Sequence, residues 1–214
     1  MKHYIEHNSF VDFYNKDKNI FKRLFKDTKK LSTVINKIIK ESKNWKKFGY
    51  KEKNKETGII DPLINANNMA GELFEIYCEL FFKILGCYRK IGVYNYKPEQ
   101  EDDCGVDASG IGMNDKPLTI QCKFRRNNEK ELTEGDLHQF WGQSLVRFNV
   151  EKDDRNNLVV FTSAKGLHFF TDGKVFLNRV RTVGYDDIRK NVDNNNPFWN
   201  ELNDYIKKTI KKSY

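Results

Sequence analysis

Four residues in the middle of this sequence are of types that together hold a metal ion and activate water: Glu75, Asp107, Gln121 and Lys123. The last two lie in Leu118-Thr119-Ile120-Gln121-Cys122-Lys123-Phe124, whose apolar residues alternate as in a β-strand. Leu118, Ile120, Cys122 and Phe124 share one face, so Thr119, Gln121 and Lys123 project together from the other. Two carboxylates, an amide oxygen and a nearby backbone carbonyl make a hard oxygen site, suited to Mg²⁺ or Mn²⁺ and unsuited to zinc. Such an ion binds phosphate oxygens, neutralises charge in a phosphoryl-transfer transition state and lowers the pKa of a bound water. A lysine beside it orients or deprotonates that water, or stabilises the transition state; the residues alone do not separate these roles. Gln121 stands where such sites often carry a carboxylate. The site therefore has one negative charge fewer, which favours a single metal with Asp107 as its indispensable ligand.

The elements that must position these residues can be read from periodicity. From Asn8 to Phe48, Phe10, Phe13 and Tyr14, then Ile20, Phe21, Leu24 and Phe25, then Leu31, Val34, Ile35, Ile38 and Ile39 recur at helical spacing and predict two or three amphipathic helices. Asn19 or Asp17 would cap the second, and Ser32 or Thr33 would open the third. Lys51 to Gly58 loses the periodicity and reads as a charged linker. The clearest helix runs from about Asn68 to Leu85, with Ala70, Leu73, Phe74, Tyr77, Leu80, Phe81, Ile84 and Leu85 on one apolar arc. Glu72, Glu79 and Lys83 are expected on the opposite, solvent side. Glu75 sits at the edge of the arc, where its carboxylate can face a cleft, a position that equally suits an ordinary surface glutamate.

Gly86 ends that helix. A weak alternation over Tyr88 to Tyr96 suggests a strand, followed by an acidic turn from Lys97 to Gly105. Val106 to Ile111 and Leu118 to Phe124 are expected as successive strands joined at Asn114-Asp115-Lys116-Pro117. Thr133 to Phe148 predicts a helix with Thr133 as N-cap and Asp136 three residues on. The run Leu158-Val159-Val160-Phe161-Thr162 has the composition of a central strand covered on both faces. A strand around Val175 to Val180 and a final amphipathic helix from Phe198 to Lys211 complete the pattern. The fold class is α/β, a central mixed β-sheet flanked by helices, with a basic helical extension over residues 1–57 and the main domain over 58–214.

The length of 214 residues suits one well-buried domain with an appendage. No apolar run approaches the roughly 18 residues of a membrane span, and Met1 to Glu6 lacks the apolar stretch of a secretory signal. No membrane association is expected. Cys78, Cys87, Cys104 and Cys122 form no Cys-x-x-Cys pair and read as free buried thiols, which with the missing signal points to a cytoplasmic protein. Residues 1–56 carry 16 Lys and Arg against 7 Asp and Glu, while the remainder carries 22 against 23. The net charge of +8 therefore resides in the first quarter. A basic arm on a neutral core fits a polyanionic partner; a solvated Lys-rich surface would give the same count.

The ordered set of residues resembles the Mrr-like restriction endonucleases of the PD-(D/E)xK nuclease superfamily. The resemblance rests on Gly71-Glu72-Leu73-Phe74-Glu75, Asp103-Cys104-Gly105-Val106-Asp107 and Ile120-Gln121-Cys122-Lys123-Phe124, in that order. Asp136-Leu137-His138-Gln139-Phe140-Trp141-Gly142 and Leu158-Val159-Val160-Phe161-Thr162-Ser163 extend it, so that it spans about residues 66–190. The chain is also similar to the nuclease domain at the front of some large phage and viral helicases. The resemblance implies a restriction-endonuclease-like core, with Asp107, Gln121, Cys122 and Glu75 at the metal, Lys123 as the catalytic lysine and Glu75 completing the site. The Gln-x-Lys variant is usual in Mrr-like members. Residues 1–56 lie outside the match.

These readings converge on a Mg²⁺- or Mn²⁺-dependent DNA endonuclease that hydrolyses phosphodiester bonds, with DNA as partner and no small-molecule cofactor. Arg125 and Arg126 at the strand exit, and Lys22, Lys26, Lys29 and Lys30 on the arm, are the candidate phosphate contacts. Cutting both strands of a duplex favours a homodimer with one site per strand. A junction resolvase or exonuclease would use the same site, and a non-catalytic nucleic-acid-binding module would keep the fold without it. His138 reads as an exposed helix residue, and Phe140, Trp141 and Phe148 as core.

Overall fold

The computed structural model describes residues 6–87, 91–99, 105–150, 157–168 and 180–212. Three helices lead the chain: α1 (Asn8–Lys16), α2 (Ile20–Phe25) and α3 (Leu31–Ser42). A long helix α4 (Pro62–Leu85) follows, then strands β1 (Val93–Pro98), β2 (Ala108–Gly112) and β3 (Pro117–Lys123), helix α5 (His138–Val146), strands β4 (Leu158–Thr162) and β5 (Arg181–Val183), and helices α6 (Tyr185–Val192) and α7 (Asn196–Lys212). Asp103, Cys104 and most of the expected Val175 to Val180 strand fall outside the described residues; β5 begins just after the latter.

The five strands form one mixed sheet in the order β1-β2-β3-β4-β5. β1, β2 and β3 make an antiparallel meander, whereas β3, β4 and β5 run parallel. The change of sense follows from the connections. β2 and β3 meet through a tight turn at Asn114 and Asp115, while β3 reaches β4 through α5, the crossover a parallel pair requires. The alternation read in β3 holds. Leu118, Ile120 and Cys122 join the core under α4, together with Val159 and Phe161 of β4. Leu158 and Val160 instead join the cluster of Leu137 and Phe140 under α5, and Thr119 donates to Ser144 Oγ of α5 at 2.7 Å. The sheet is thus covered on both faces, which explains the all-buried pattern of β4.

Phe161 is the centre of the first layer. Its ring lies 5.1–5.3 Å from those of Phe74, Phe81 and Phe82. Truncating a fully buried aromatic in such a setting costs about 3–5 kcal/mol.

α4 begins six residues before the expected Asn68. Asp61 caps it by accepting from the backbone N–H groups of Leu63 and Ile64, and Pro62 occupies the first turn, where its missing N–H costs nothing. The charged linker also has structure: Lys53 bridges to Ile60, and fully buried Asn65 of α4 accepts from Glu52 N and donates to Glu52 O, each at 2.8 Å. Of the expected local caps of the arm, Asp17 acts at the start of α2, where its Oδ1 accepts from Asn19 N–H at 3.0 Å. Asn19 makes no side-chain cap bond, and α3 opens at Leu31, whose N–H is taken by Asp193 at the end of α6, at 2.8 Å. That distant carboxylate does the work assigned to Ser32 or Thr33.

The solvent side expected of α4 is covered. Glu79 is fully buried and its side chain lies 2.9 Å from Lys83 Nζ, itself 4 % exposed. Glu79 also accepts from the backbone N–H groups of Glu6 and His7. The reason is the arm: Phe10, Phe13, Phe21, Phe25, Val34 and Ile38 share one hydrophobic cluster with α4, the sheet and α7. The segment ahead of α1 is thereby laid along the polar face of α4.

Candidate active site

β3 ends in a set of hydrogen bonds that hold the lysine end of the strand. Lys123 O accepts from Thr162 Oγ1 at 2.6 Å and from Ser163 N at 3.3 Å. Ser163 Oγ in turn accepts from Arg125 N at 2.6 Å and donates to Arg125 O at 2.9 Å. The Ser163 loop therefore clamps β3 on both sides of Phe124. Among the described residues no hydrogen bond or ion pair reaches the Lys123 ammonium.

Asp107 stands at the entrance to β2. Its N–H donates to Ile120 O at 2.9 Å, and its Oδ2 accepts from Cys122 N at 2.5 Å. Backbone and side chain together bracket Gln121 on the neighbouring strand. Gly105 makes this approach feasible: its φ of +73° is left-handed, and a Cβ there would meet Phe140 N of α5 at 3.0 Å. Gln121 is 3 % exposed, and its Oε1 is buried with no hydrogen-bond partner. An acceptor left so costs about 1–3 kcal/mol.

Glu75 reaches the site from α4. It lines a cleft of about 900 Å³ with Glu72, Gly71, Asn67 and Asn68 on the helix side, and Cys122, Lys123, Arg125, Arg126 and Lys130 on the strand side. The two walls carry opposite charge. Asp107 and Gln121 lie behind this lining rather than in it. All the same, Asp107 and Glu75 both sit close enough to Cys122 to act on its thiol, which burial first of all, then the neighbouring Cys78 thiol and lastly these carboxylates push well above its usual range.

Cys122 is oriented by the same alternation. Its thiol faces α4 and hydrogen-bonds with the thiol of Cys78. As a buried thiol held protonated it is no metal ligand, and only its backbone carbonyl could serve. Cys78 is likewise buried and free, whereas Cys87 is exposed.

Searches of family models, of curated proteins and of solved structures give no match to this chain. The site is therefore argued from its own residues. Asp107 and Glu75, both of which act on Cys122, are oxygen donors of the kind a hard divalent cation takes, whereas Gln121, whose buried Oε1 has no partner, lies on the strand face opposite Cys122 and behind the cleft lining, so the structure does not bring it together with Glu75. Among the described residues, no three His, Cys, Asp or Glu side chains are grouped as a metal site.

Two residues near the site were not assigned to it from the sequence. His7 Nε2 lies 3.1 Å from Glu75 Oε2. Burial opposes charge on this imidazole, but the hydrogen bond to Glu75 and the fields of Glu75, Glu79 and Glu72 prevail and raise its pKa above the ordinary value. Asp136 was read as a capping residue and as part of the segment after the lysine strand, not as part of the site. It does bind the N–H and hydroxyl of Thr133, though as part of a short 3₁₀ turn ahead of α5. It also pairs with Arg125 at 2.5 Å and feels the charge of Lys123. Burial opposes its ionisation, but the Thr133 bonds and these two cations hold its carboxyl below the usual range. An acidic residue following a Gly at a helix start was the available signal.

The candidate phosphate contacts divide into groups. Arg125 and Arg126 line the cleft, Arg125 held by Asp136 and Arg126 donating to Asn67 Oδ1 at 2.9 Å. Lys22 and Lys26 line a separate groove of about 810 Å³ between α2 and α7, with Lys18, Asn203 and Lys207. Lys29 and Lys30 are exposed and line neither. His138 is exposed as expected, Phe140 is fully buried, and Trp141 and Phe148 pack against the α5 cluster. Among the described residues no helix is long and apolar enough to cross a membrane.

Proposed function

We propose that this chain is a metal-dependent DNA endonuclease of the Mrr-like kind. The observation that carries the reading is the bracketing of Gln121 by Asp107, two residues before Lys123, beside a cleft into which α4 delivers Glu75. A mixed sheet with helices on both faces agrees with the restriction-endonuclease-like core that the resemblance implies.

Asp107 and Glu75, with the Cys122 carbonyl, would hold Mg²⁺ or Mn²⁺. When bound, that ion supplies charge neutralisation at the phosphoryl oxygens and a more acidic water. The chain's own contributions are distinct. The clamp at Thr162 and Ser163 fixes the lysine end of β3, so that Lys123 meets the scissile phosphate as a positioned cation. Arg126 and Lys130 add positive charge along the same wall, where a phosphate backbone would run. Asp107 loses little freedom on binding the ion, because Cys122 N–H already orients its carboxylate. Cleavage of both strands would call for two copies of the chain.

The test is incubation of the purified protein with plasmid DNA and Mg²⁺, Mn²⁺ or EDTA, beside Lys123→Ala and Asp107→Ala. Nicking or linearisation that needs the metal and vanishes in both variants is the expected result. Cleavage that survives both variants overturns the site, and binding without cleavage by the wild type favours a non-catalytic module.

A further inference from the structure

The helical wall of the cleft is a stripe at four-residue spacing: Asn67, Gly71 and Glu75. Its two ends are tied by side chains. Arg126 crosses the cleft to Asn67 Oδ1, and His7 holds Glu75 Oε2. Between these ties lies Gly71, in the interior of a 24-residue helix. A Cβ added to Gly71 would meet nothing within 4 Å.

Glycine inside a helix is a cost to the fold, since it has more backbone freedom to lose than alanine. It is normally explained by a neighbouring backbone that needs the room or by a left-handed φ. Neither applies to Gly71: no atom approaches it and its φ is helical. Gly71 itself lines the cleft, together with Glu75, Lys123 and Arg126.

We propose that Gly71 is where the bound DNA strand crosses α4, its missing side chain setting how closely the sugar–phosphate backbone approaches Glu75 and Lys123. This rests on the nuclease reading and adds to it the path of the substrate. Gly71 is a positioning residue: it contributes no chemistry, only distance. A methyl group at this point holds the strand off the helix by a fraction of its own diameter, enough to spoil in-line geometry at a site that tolerates little displacement.

The test uses Gly71→Ala and Gly71→Leu in the full chain, with Gly142→Ala as the control. Gly142 is also a helical glycine with nothing within 4 Å, but it is on α5 and does not line the cleft. Each protein is measured for thermal midpoint, for affinity to a fluorescent DNA duplex in EDTA and in Ca²⁺, and for plasmid cleavage in Mg²⁺. Both alanine variants are expected to gain roughly 2–4 °C in Tm from helix propensity. Gly142→Ala keeps wild-type binding and cleavage, Gly71→Ala loses at least tenfold in kcat/KM, and Gly71→Leu loses more and binds the duplex more weakly. A Gly71→Ala protein that is stabilised yet binds and cleaves like the wild type overturns this inference and leaves the nuclease reading standing. A wild type that neither binds nor cuts DNA overturns both.

Discussion

His7 Nε2 stands 3.1 Å from Glu75 Oε2, joining the segment ahead of α1 to a helix carboxylate that lines the cleft. The imidazole is 11 % exposed and Glu75 27 % exposed, so the contact is sheltered but not sealed. Partners of this kind orient carboxylates, and their loss typically weakens a metal site 10–100-fold. His7→Ala is expected to lower Mn²⁺ affinity by about tenfold with the fold intact. Calorimetric titration of Mn²⁺ into both proteins checks it; equal affinities would mean that His7 only packs the arm.

Glu79 is fully buried against Lys83, whose ammonium also lies 3.6 Å from the exposed Glu6 carboxylate. Glu79→Gln leaves one oxygen where Glu6 and His7 N–H use two, sets an amide NH2 against the other donor and takes the nearer carboxylate from Lys83, and should cost more than about 1 kcal/mol. Urea unfolding measures this. A change under about 1 kcal/mol would indicate that Glu6 takes over Lys83 and the amide satisfies both N–H groups.

Asp17 gathers Arg23 and Lys47 on the arm at 2.9 and 2.6 Å. The hydrogen bond from Arg23, only partly offset by burial, holds its carboxyl well below the usual carboxylate range. A depressed folded-state pKa contributes stability that is complete above the unfolded value of about 3.9 and is lost as pH falls through the folded one. The stability difference between wild type and Asp17→Asn is therefore expected to be constant above about pH 5 and to shrink below about pH 4. Urea midpoints for both proteins from neutral to acid pH decide it, and a difference that persists unchanged into strong acid would remove Asp17 as its source.

The groove of Lys22 and Lys26 shares no lining residue with the cleft. If both lysines neutralise phosphates, Lys22→Ala/Lys26→Ala lowers the slope of log K against log salt by about 2 without altering metal dependence. Salt titration on one duplex reads this directly. An unchanged slope would assign the phosphate contacts to the cleft alone. Point changes are required because deleting the arm would bare Tyr77 and the Glu79 and Lys83 pair together.

Periodicity carried the reading of β3 and β4 furthest. The alternation of Leu118, Ile120 and Cys122 against Thr119, Gln121 and Lys123 is a local property of a pleated strand, and the two faces fall as read. The same reasoning misassigned Glu79 and Lys83, because a helical wheel sorts residues by polarity and assumes that the polar side meets water. Here it meets two backbone N–H groups, and backbone donors leave no mark in the side-chain pattern. The cap of α3 was hidden for a related reason: Asp193 lies 162 residues from Leu31. Charge counting located the basic arm but had no means of telling that Lys22 and Lys26 face α7 while Arg126 faces α4.

α4 is wrapped by residues from nearly the whole length of the chain, from His7 ahead of it to Phe198 far beyond it. Each of those contacts closes a long loop, and the chain loses that freedom before packing rewards it. The consequence falls on assembly. Until both ends have docked, Tyr77 and Phe81 of α4, which pack against Phe25 and Phe198, stay available to other copies of the chain, so refolding should be slow and its yield should fall as concentration rises.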